Sequence, residues 1–354
     1  MTLLAPLTLA AATGLMAAAP LLPAGLELRN REEACPLPIR TDNGHAENFA
    51  RAFAASLEPF AAEMEKCAAT GEVAVVFRRD GSRVLLVAGD SSLEQMDAAG
   101  SKDVTAIAFC GSHIAMPAGR GFTADAYFSG DLETRSQCAF RGLFCRGSAS
   151  LGPFTRVARW VHAGGTLRAG EYSALFGRAS AGESISLGMA CRFGRLHAPV
   201  IQVGLDEVPL LRRPSQFPGR SIMDLKLGRV MASGDFRLDC GDVLQGHVIA
   251  AGSVRVSAGS SILGSIKSHH NAHIGAGCEI QGAVVSSAAL HISGGSHIRG
   301  PVIAEKELDI GAATQIGSPD APTSVSAPRI RIAPGCVVYG TLWAREGGLV
   351  EAEL

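Results

Sequence analysis

Four glycines, Gly246, Gly264, Gly282 and Gly300, stand 18 residues apart. Two places after each comes Val248, Ile266, Val284 or Val302. Ten places after comes Val256, Ile274, Ile292 or Ile310, and sixteen places after comes Ile262, Ile280, Ile298 or Ile316. A fixed period of this length predicts a solenoid, because each repeat can bury its apolar face only against its neighbours. Eighteen is three sixes, so the repeat predicts one short strand on each of three sides, with small residues at the corners. Within each side apolar and polar residues alternate, as they do in a strand with one buried face.

The pattern extends upstream. Stepping back from Gly246 gives Gly228, followed in register by Val230, Phe236, Leu238 and Leu244. It fits again from Ala106, Ala124, Arg141, Arg159 and Gly177, with steps of 18, 17, 18 and 18 residues. From Ala106 the template catches Ala108, Ile114, Met116 and Phe122; from Ala124 it catches Ala126, Phe128, Leu132 and Phe140. Pro209, Pro214 and Pro218 interrupt it. His197–Val203 mirrors Ser326–Ile332, and a short insertion, Ser318–Thr323, precedes the second stretch. Two arrays are expected, at 106–204 and 228–346, joined by a loop at 205–227 and followed by a tail at 347–354. They read as an internal duplication or as one interrupted solenoid.

The N-terminal third differs. Thr2 to Leu26 carries no charge, and about 25 helical residues rise roughly 37 Å, enough to cross a bilayer. A cleaved signal peptide is the rival reading, but no basic residue precedes the run and Pro20 follows the small residues Ala17–Ala19. Arg29, Arg31 and Arg40 follow it, so the positive-inside rule keeps the bulk of the chain in the cytoplasm. Residues 1–28 are therefore expected to span or anchor to the membrane. Residues 29–105 are expected to hold a linker, a helix and a hairpin. The helix is predicted over His45–Cys67, with Phe49, Phe53, Leu57, Phe60 and Met64 on its core face. Val73–Phe77 and Val84–Ala88 flank Asp80-Gly81 as a hairpin, and Ser91–Lys102 reads as a polar loop.

Little in the sequence points to chemistry. Net charge is −1, which gives no electrostatic case for nucleic acid. The nine cysteines include no CxxC pair, which removes the common zinc and thioredoxin-like spacings. Cys138, Cys191, Cys278 and Cys336 share one template place with Thr155, Ser173, Ser260, Ser296 and Thr314, which marks a corner site for small side chains. Cys278 and Cys336, and likewise Cys110 and Cys145 on another shared place, fall too many rungs apart to bond. That favours a reducing compartment. His273 and His291 fall side by side on adjacent rungs, and a metal or a general base is conceivable there. A solvated outer face is the preferred reading, since the sequence fixes no carboxylate beside them. Arg255, Lys267 and Asp309 read as outward charges. Gly275-Ala276-Gly277 is a corner of the repeat and not a dinucleotide fingerprint, because no long helix follows. No catalytic, cofactor-binding or metal residues are assigned.

With Gly246-His-Val-Ile-Ala, Gly264-Ser-Ile-Lys-Ser, Gly282-Ala-Val-Val-Ser and the apolar N-terminal run in view, the chain resembles the bactofilins, polymer-forming bacterial cytoskeletal proteins. The resemblance implies an all-β solenoid, a right-handed three-sided parallel β-helix. Here it comes in two arrays, with an N-terminal transmembrane or apolar helix and a small α/β segment. It also implies a non-enzymatic, membrane-associated scaffold without cofactors. Such a scaffold self-associates through its ends, binds no nucleic acid and localises envelope-assembly or polysaccharide machinery at the inner membrane. The second array and the helix-hairpin region are additions to the single core usual in that family. Ile274-Gly275-Ala-Gly-Cys-Glu-Ile280 also fits the hexad of the hexapeptide-repeat acyltransferases, a left-handed β-helix of the same period and the alternative reading. Against it, Ala250, Ser268, Ser286 and Ala304 stand where that hexad carries a large aliphatic. A secreted adhesive solenoid is a third reading and requires cleavage of the N-terminal run.

Overall fold

The computed structural model describes residues 45–89, 104–204 and 228–352, the backbone of 221–222, and Thr13, Met16, Leu93 and Met96 individually. The expected membrane segment at 1–28, the linker after it and most of the loop at 205–227 lie outside the described residues. Among the described residues no helix is long and apolar enough to cross a membrane.

Residues Ala46–Leu354 form one compact unit built on a parallel β-solenoid. In the second array each turn supplies three short strands, such as His247–Ala250, Val254–Val256 and Ser261–Ile262. Each pairs in parallel with the strand 18 residues on: Val248 with Ile266, Val254 with Ala272, Ile262 with Ile280. The aliphatics of the repeat therefore stack in inward columns. Ile262, Ile274, Ile280, Ile292 and Ile298 are completely buried. Burying each stabilises the stack by roughly 1.5–3 kcal/mol. Where Ser318–Thr323 is inserted, the pairing step lengthens: Val302 meets Val325 and Ile310 meets Ile332.

The corner chemistry explains two puzzling columns. Gly259, Gly277 and Gly295 turn the chain with φ of 69°, 66° and 71°, a conformation that favours glycine. The next residue points inward and donates to a carbonyl of the preceding rung. Ser260 Oγ reaches Asp239 O at 2.7 Å, Cys278 Sγ reaches Ser257 O at 3.1 Å and Ser296 Oγ reaches Gly275 O at 3.0 Å. The place thus suits a small side chain, and serine, threonine or cysteine can also supply a donor, although Thr155 Oγ1 is buried there without a partner among the described residues. Ser268 and Ser286 do the same at another corner, donating to Gly252 O and His270 O.

The first array follows the same plan with a bulkier core. Phe109 stacks on Phe128 at 4.6 Å and Phe122 on Phe140 at 5.2 Å. Its first register differs from the expected one. Ile107, not Ala108, stands opposite Ala126, and Ala108 stands opposite Tyr127. A one-residue slip exchanges the two faces of a strand, so Ala108 joins the outer cluster with Leu57, Cys67 and Cys110. The same slip places Phe109, not Cys110, in line with Phe128 and Cys145, so Cys110 and Cys145 do not share a column. All eight described cysteines are free thiols.

The expected helix over His45–Cys67 is two helices, Asn48–Ala55 and Ala61–Thr70, with a 3-10 turn at Glu58–Phe60 between them. Pro59 lies in that turn, and the residue before a proline disfavours helical backbone. Leu57 is buried as expected, whereas Phe49 is 51% exposed. The hairpin forms from Ala74–Phe77 and Arg83–Val87, and its second strand pairs in parallel with Val104–Phe109. It therefore belongs to the solenoid as an added edge and is not a separate segment. Leu93 and Met96, inside the expected polar loop, are buried in the main core against this end.

The two arrays meet. Arg192–Val203, in the last turn of the first array, pairs antiparallel with Cys336–Val350, in the last turn of the second. Leu196 faces Leu342, His197 faces Thr341 and Val203 faces Cys336. On its other side Cys336–Val350 runs parallel to Thr323–Ile332. The described strands of both arrays thus form one sheet, closed by a seam between two rung ends. The expected tail at 347–354 starts later, because Gly347–Val350 completes this seam. Gly348 is required there: a side chain on it would run into the buried Phe193 ring.

Candidate functional site

Two places in the solenoid are built differently from the repeat. The first is the outer end of the second array. Val230, Ala232 and Phe236 occupy the columns of Val248, Ala250 and Val254, which are 0–1% exposed, yet they are only half-buried. Met231 beside them is 68% exposed. Among the described residues, Arg229–Ala232 and Phe236–Leu238 pair with the following rung alone. The opposite end of this array is consumed by the seam, and the first array carries its hairpin, Leu93 and Met96. The third strand of this rung, Val243–Leu244, is covered by Ser221–Ile222. A strand edge unpaired among the described residues over a half-open core is a template for another chain.

The second place is an outer face of the first array. Tyr127, Phe144, His162, Ser180 and His197 form one outward column across successive rungs. Tyr127 and Phe144 stack at 5.2 Å with planes 1° apart, and Phe144 lies 5.3 Å from His162. His162 Nδ1 is 2.8 Å from Ser180 Oγ, and His197 Nδ1 is 2.9 Å from Thr341 Oγ1 across the seam. A neighbouring outward column carries Trp160 and Arg178. The first helix lies on it, with Phe53 5.2 Å from the Trp160 ring and the Phe49 ring 4.7 Å under the Arg178 guanidinium. Gly142 leaves room for Trp160, whose ring a side chain there would meet. The helices thus bury His162, and burial holds its pKa below the usual histidine value.

Between the two helices and the Tyr127–Phe144 stack opens a cleft of about 440 Å³. Leu57, Ala61 and Met64 line the helical wall, and Cys110, Tyr127 and Arg146 the solenoid wall. Burial pushes the Cys110 thiol up to about 12, with the neighbouring Cys67 adding to the shift. Cysteine here is a packed, protonated thiol and not a nucleophile. The sequence assigned no role to this column, although Tyr127, Phe144 and His162 recur at steps of 17 and 18 residues. Its signal was present but lay one place outside the aliphatic template.

His273 and His291 do sit side by side, 4.9 Å apart and 5° from parallel. Asp309, expected as a solvated charge, stands on the next rung, 3.9 Å from His291 Nδ1. Arg331 Nε holds its other carboxylate oxygen at 2.8 Å, so the carboxylate already has a cation. Among the described residues no group of three histidine, cysteine, aspartate or glutamate side chains is placed to hold a metal. Burial, and then the charge of His291, holds His273 below the usual histidine value. Comparison with protein families, with curated proteins and with solved structures finds no match for this chain.

Proposed function

We propose that this chain is a non-enzymatic, bactofilin-like scaffold, attached to the cytoplasmic membrane through residues 1–28 with its bulk in the cytoplasm. It self-associates through an end of its β-helix, which is right-handed and three-sided in this reading, and it gathers envelope or polysaccharide machinery. One observation carries the proposal: in the first rung of the second array two of the three strands, Arg229–Ala232 and Phe236–Leu238, have half-exposed core columns and edges paired on one side among the described residues, while Ser221–Ile222 covers the third, Val243–Leu244. The seam supports it, because there two rung ends of this same chain already pair edge to edge.

Light scattering and electron microscopy of the full chain in mild detergent test the reading. Assemblies larger than one chain, dispersed by Met231→Lys, are expected. A strictly monomeric chain at all concentrations contradicts it. A compact trimer that transfers acetyl groups from acetyl-CoA to an acceptor would instead support the hexapeptide-repeat acyltransferase.

A further inference from the structure

The cleft beneath the helices has a use that the scaffold reading does not require. Its volume, about 440 Å³, falls within the range of small-molecule sites. Ala61 and Met64 give it an apolar helical side, and Tyr127 with Phe144 gives it an aromatic floor. These two rings stack on each other along the rungs with planes 1° apart, and aromatic rings pack favourably on a planar guest.

The polar groups on the rigid wall are donors. Among the described residues, the Tyr127 hydroxyl has no hydrogen-bond partner and Arg146 forms no ion pair, although both line the cleft. Ser129 Oγ, also on this wall, donates to Gly111 O at 3.0 Å and offers no further proton. Burial raises the Tyr127 pKa, with the Arg146 charge opposing, so the hydroxyl remains protonated and able to donate at neutral pH. The carboxylates in the cleft, Glu58 and Glu65, lie on the helical wall and are exposed. Two convergent donors on a sheet match a carboxylate, sulfonate or phosphate.

We propose that this cleft binds a planar, largely apolar small molecule that carries one anionic group. The ring system lies between the helices and the Tyr127–Phe144 stack, and the anion meets Arg146 and the Tyr127 hydroxyl. The solenoid supplies a fixed floor, and the two helices supply the other side.

The test uses 8-anilinonaphthalene-1-sulfonate as the probe on the full folded chain, followed by fluorescence and calorimetry. One saturable site is expected. Arg146→Gln should weaken it roughly tenfold, the loss typical of a charged hydrogen bond. Ala61→Trp should abolish it by filling the cleft, while circular dichroism and melting stay as in the parent, because Ala61 is exposed. Absence of saturable binding overturns the proposal, as does binding that both substitutions leave unchanged. Loss of binding in Phe154→Ser also overturns it, since that would place the dye on the exposed Phe154–Tyr172 stack. Equal or tighter binding of the cationic dye thioflavin T at the Ala61→Trp-sensitive site overturns the anionic assignment.

Discussion

Leu196→Ala should loosen two strands that lie far apart in the sequence. Leu196 is fully buried, with Ala179 on its own-array side and Leu342 across the seam. Truncation removes three carbons, worth about 2.4 kcal/mol of transfer free energy at ~0.8 kcal/mol each. The cavity left behind adds to this, giving roughly 3–4 kcal/mol. In a repeat fold such a loss acts mainly on nearest neighbours. Hydrogen exchange followed by mass spectrometry reads it directly. Amides of Arg192–Val203 and of Cys336–Val350 should exchange on the order of a hundredfold faster, since each ~1.4 kcal/mol is tenfold. Amides in the middle of the second array, such as those of Leu290–Ile292, should not change. Faster exchange in Arg192–Val203 without any change in Cys336–Val350 would refute the seam.

Three further outcomes follow from the same contacts. Ile292→Asp puts a charge between Ile274 and Ile310 and should cost about 4–5 kcal/mol; an unchanged denaturation midpoint would refute the register. Iodoacetamide on the folded, unreduced chain should alkylate the exposed Cys240. It should spare Cys191 and Cys336, whose thiols burial pushes up to about 11 and about 12, and labelling of these two at the rate of Cys240 would contradict their burial. Burial holds the folded pKa of His162 below the usual histidine value of about 6.5, so the unfolded chain takes up this proton first as pH falls. Its contribution to stability is intact above that value and is lost between it and the lower folded value. Denaturation midpoints between about pH 7.5 and about pH 5 should therefore fall less in His162→Phe than in the parent, and an identical fall would remove His162 as a contributor.

The repeat made most of the fold legible. Spacing alone placed Val248, Ile266 and Val284 in one column, because a solenoid converts sequence period into spatial neighbourhood. It failed where the period itself changed. The Ile107–Ala126 step is one residue longer than the template, and nothing local in an alanine-rich strand such as Val104–Phe109 fixes the face. The seam was not legible at all. Antiparallel pairing between Leu196 and Leu342 depends on how two ends meet, and no single stretch of sequence carries that information. Small residues at Gly142 and Gly348 were uninformative for the same reason: their neighbours, Trp160 and Phe193, come from other rungs. The cleft needed both the outward aromatic column and the break between the helices near Pro59, and only the second lay in one stretch of sequence.

The closure of the two arrays on each other within one molecule is best tested by a crosslink. His197 and Thr341 are paired residues whose side chains touch at 2.9 Å. Antiparallel partners lie about 4.5–5.5 Å apart at Cα, inside the range a disulfide spans. The double variant His197→Cys, Thr341→Cys should form an intramolecular disulfide on mild oxidation. Mass spectrometry should find it between the two expected peptides in the monomer band, and neither single variant should show it. Absence of that bond, or its appearance only between two chains, would contradict the seam and with it the assignment of the second array's first rung as the end available for association.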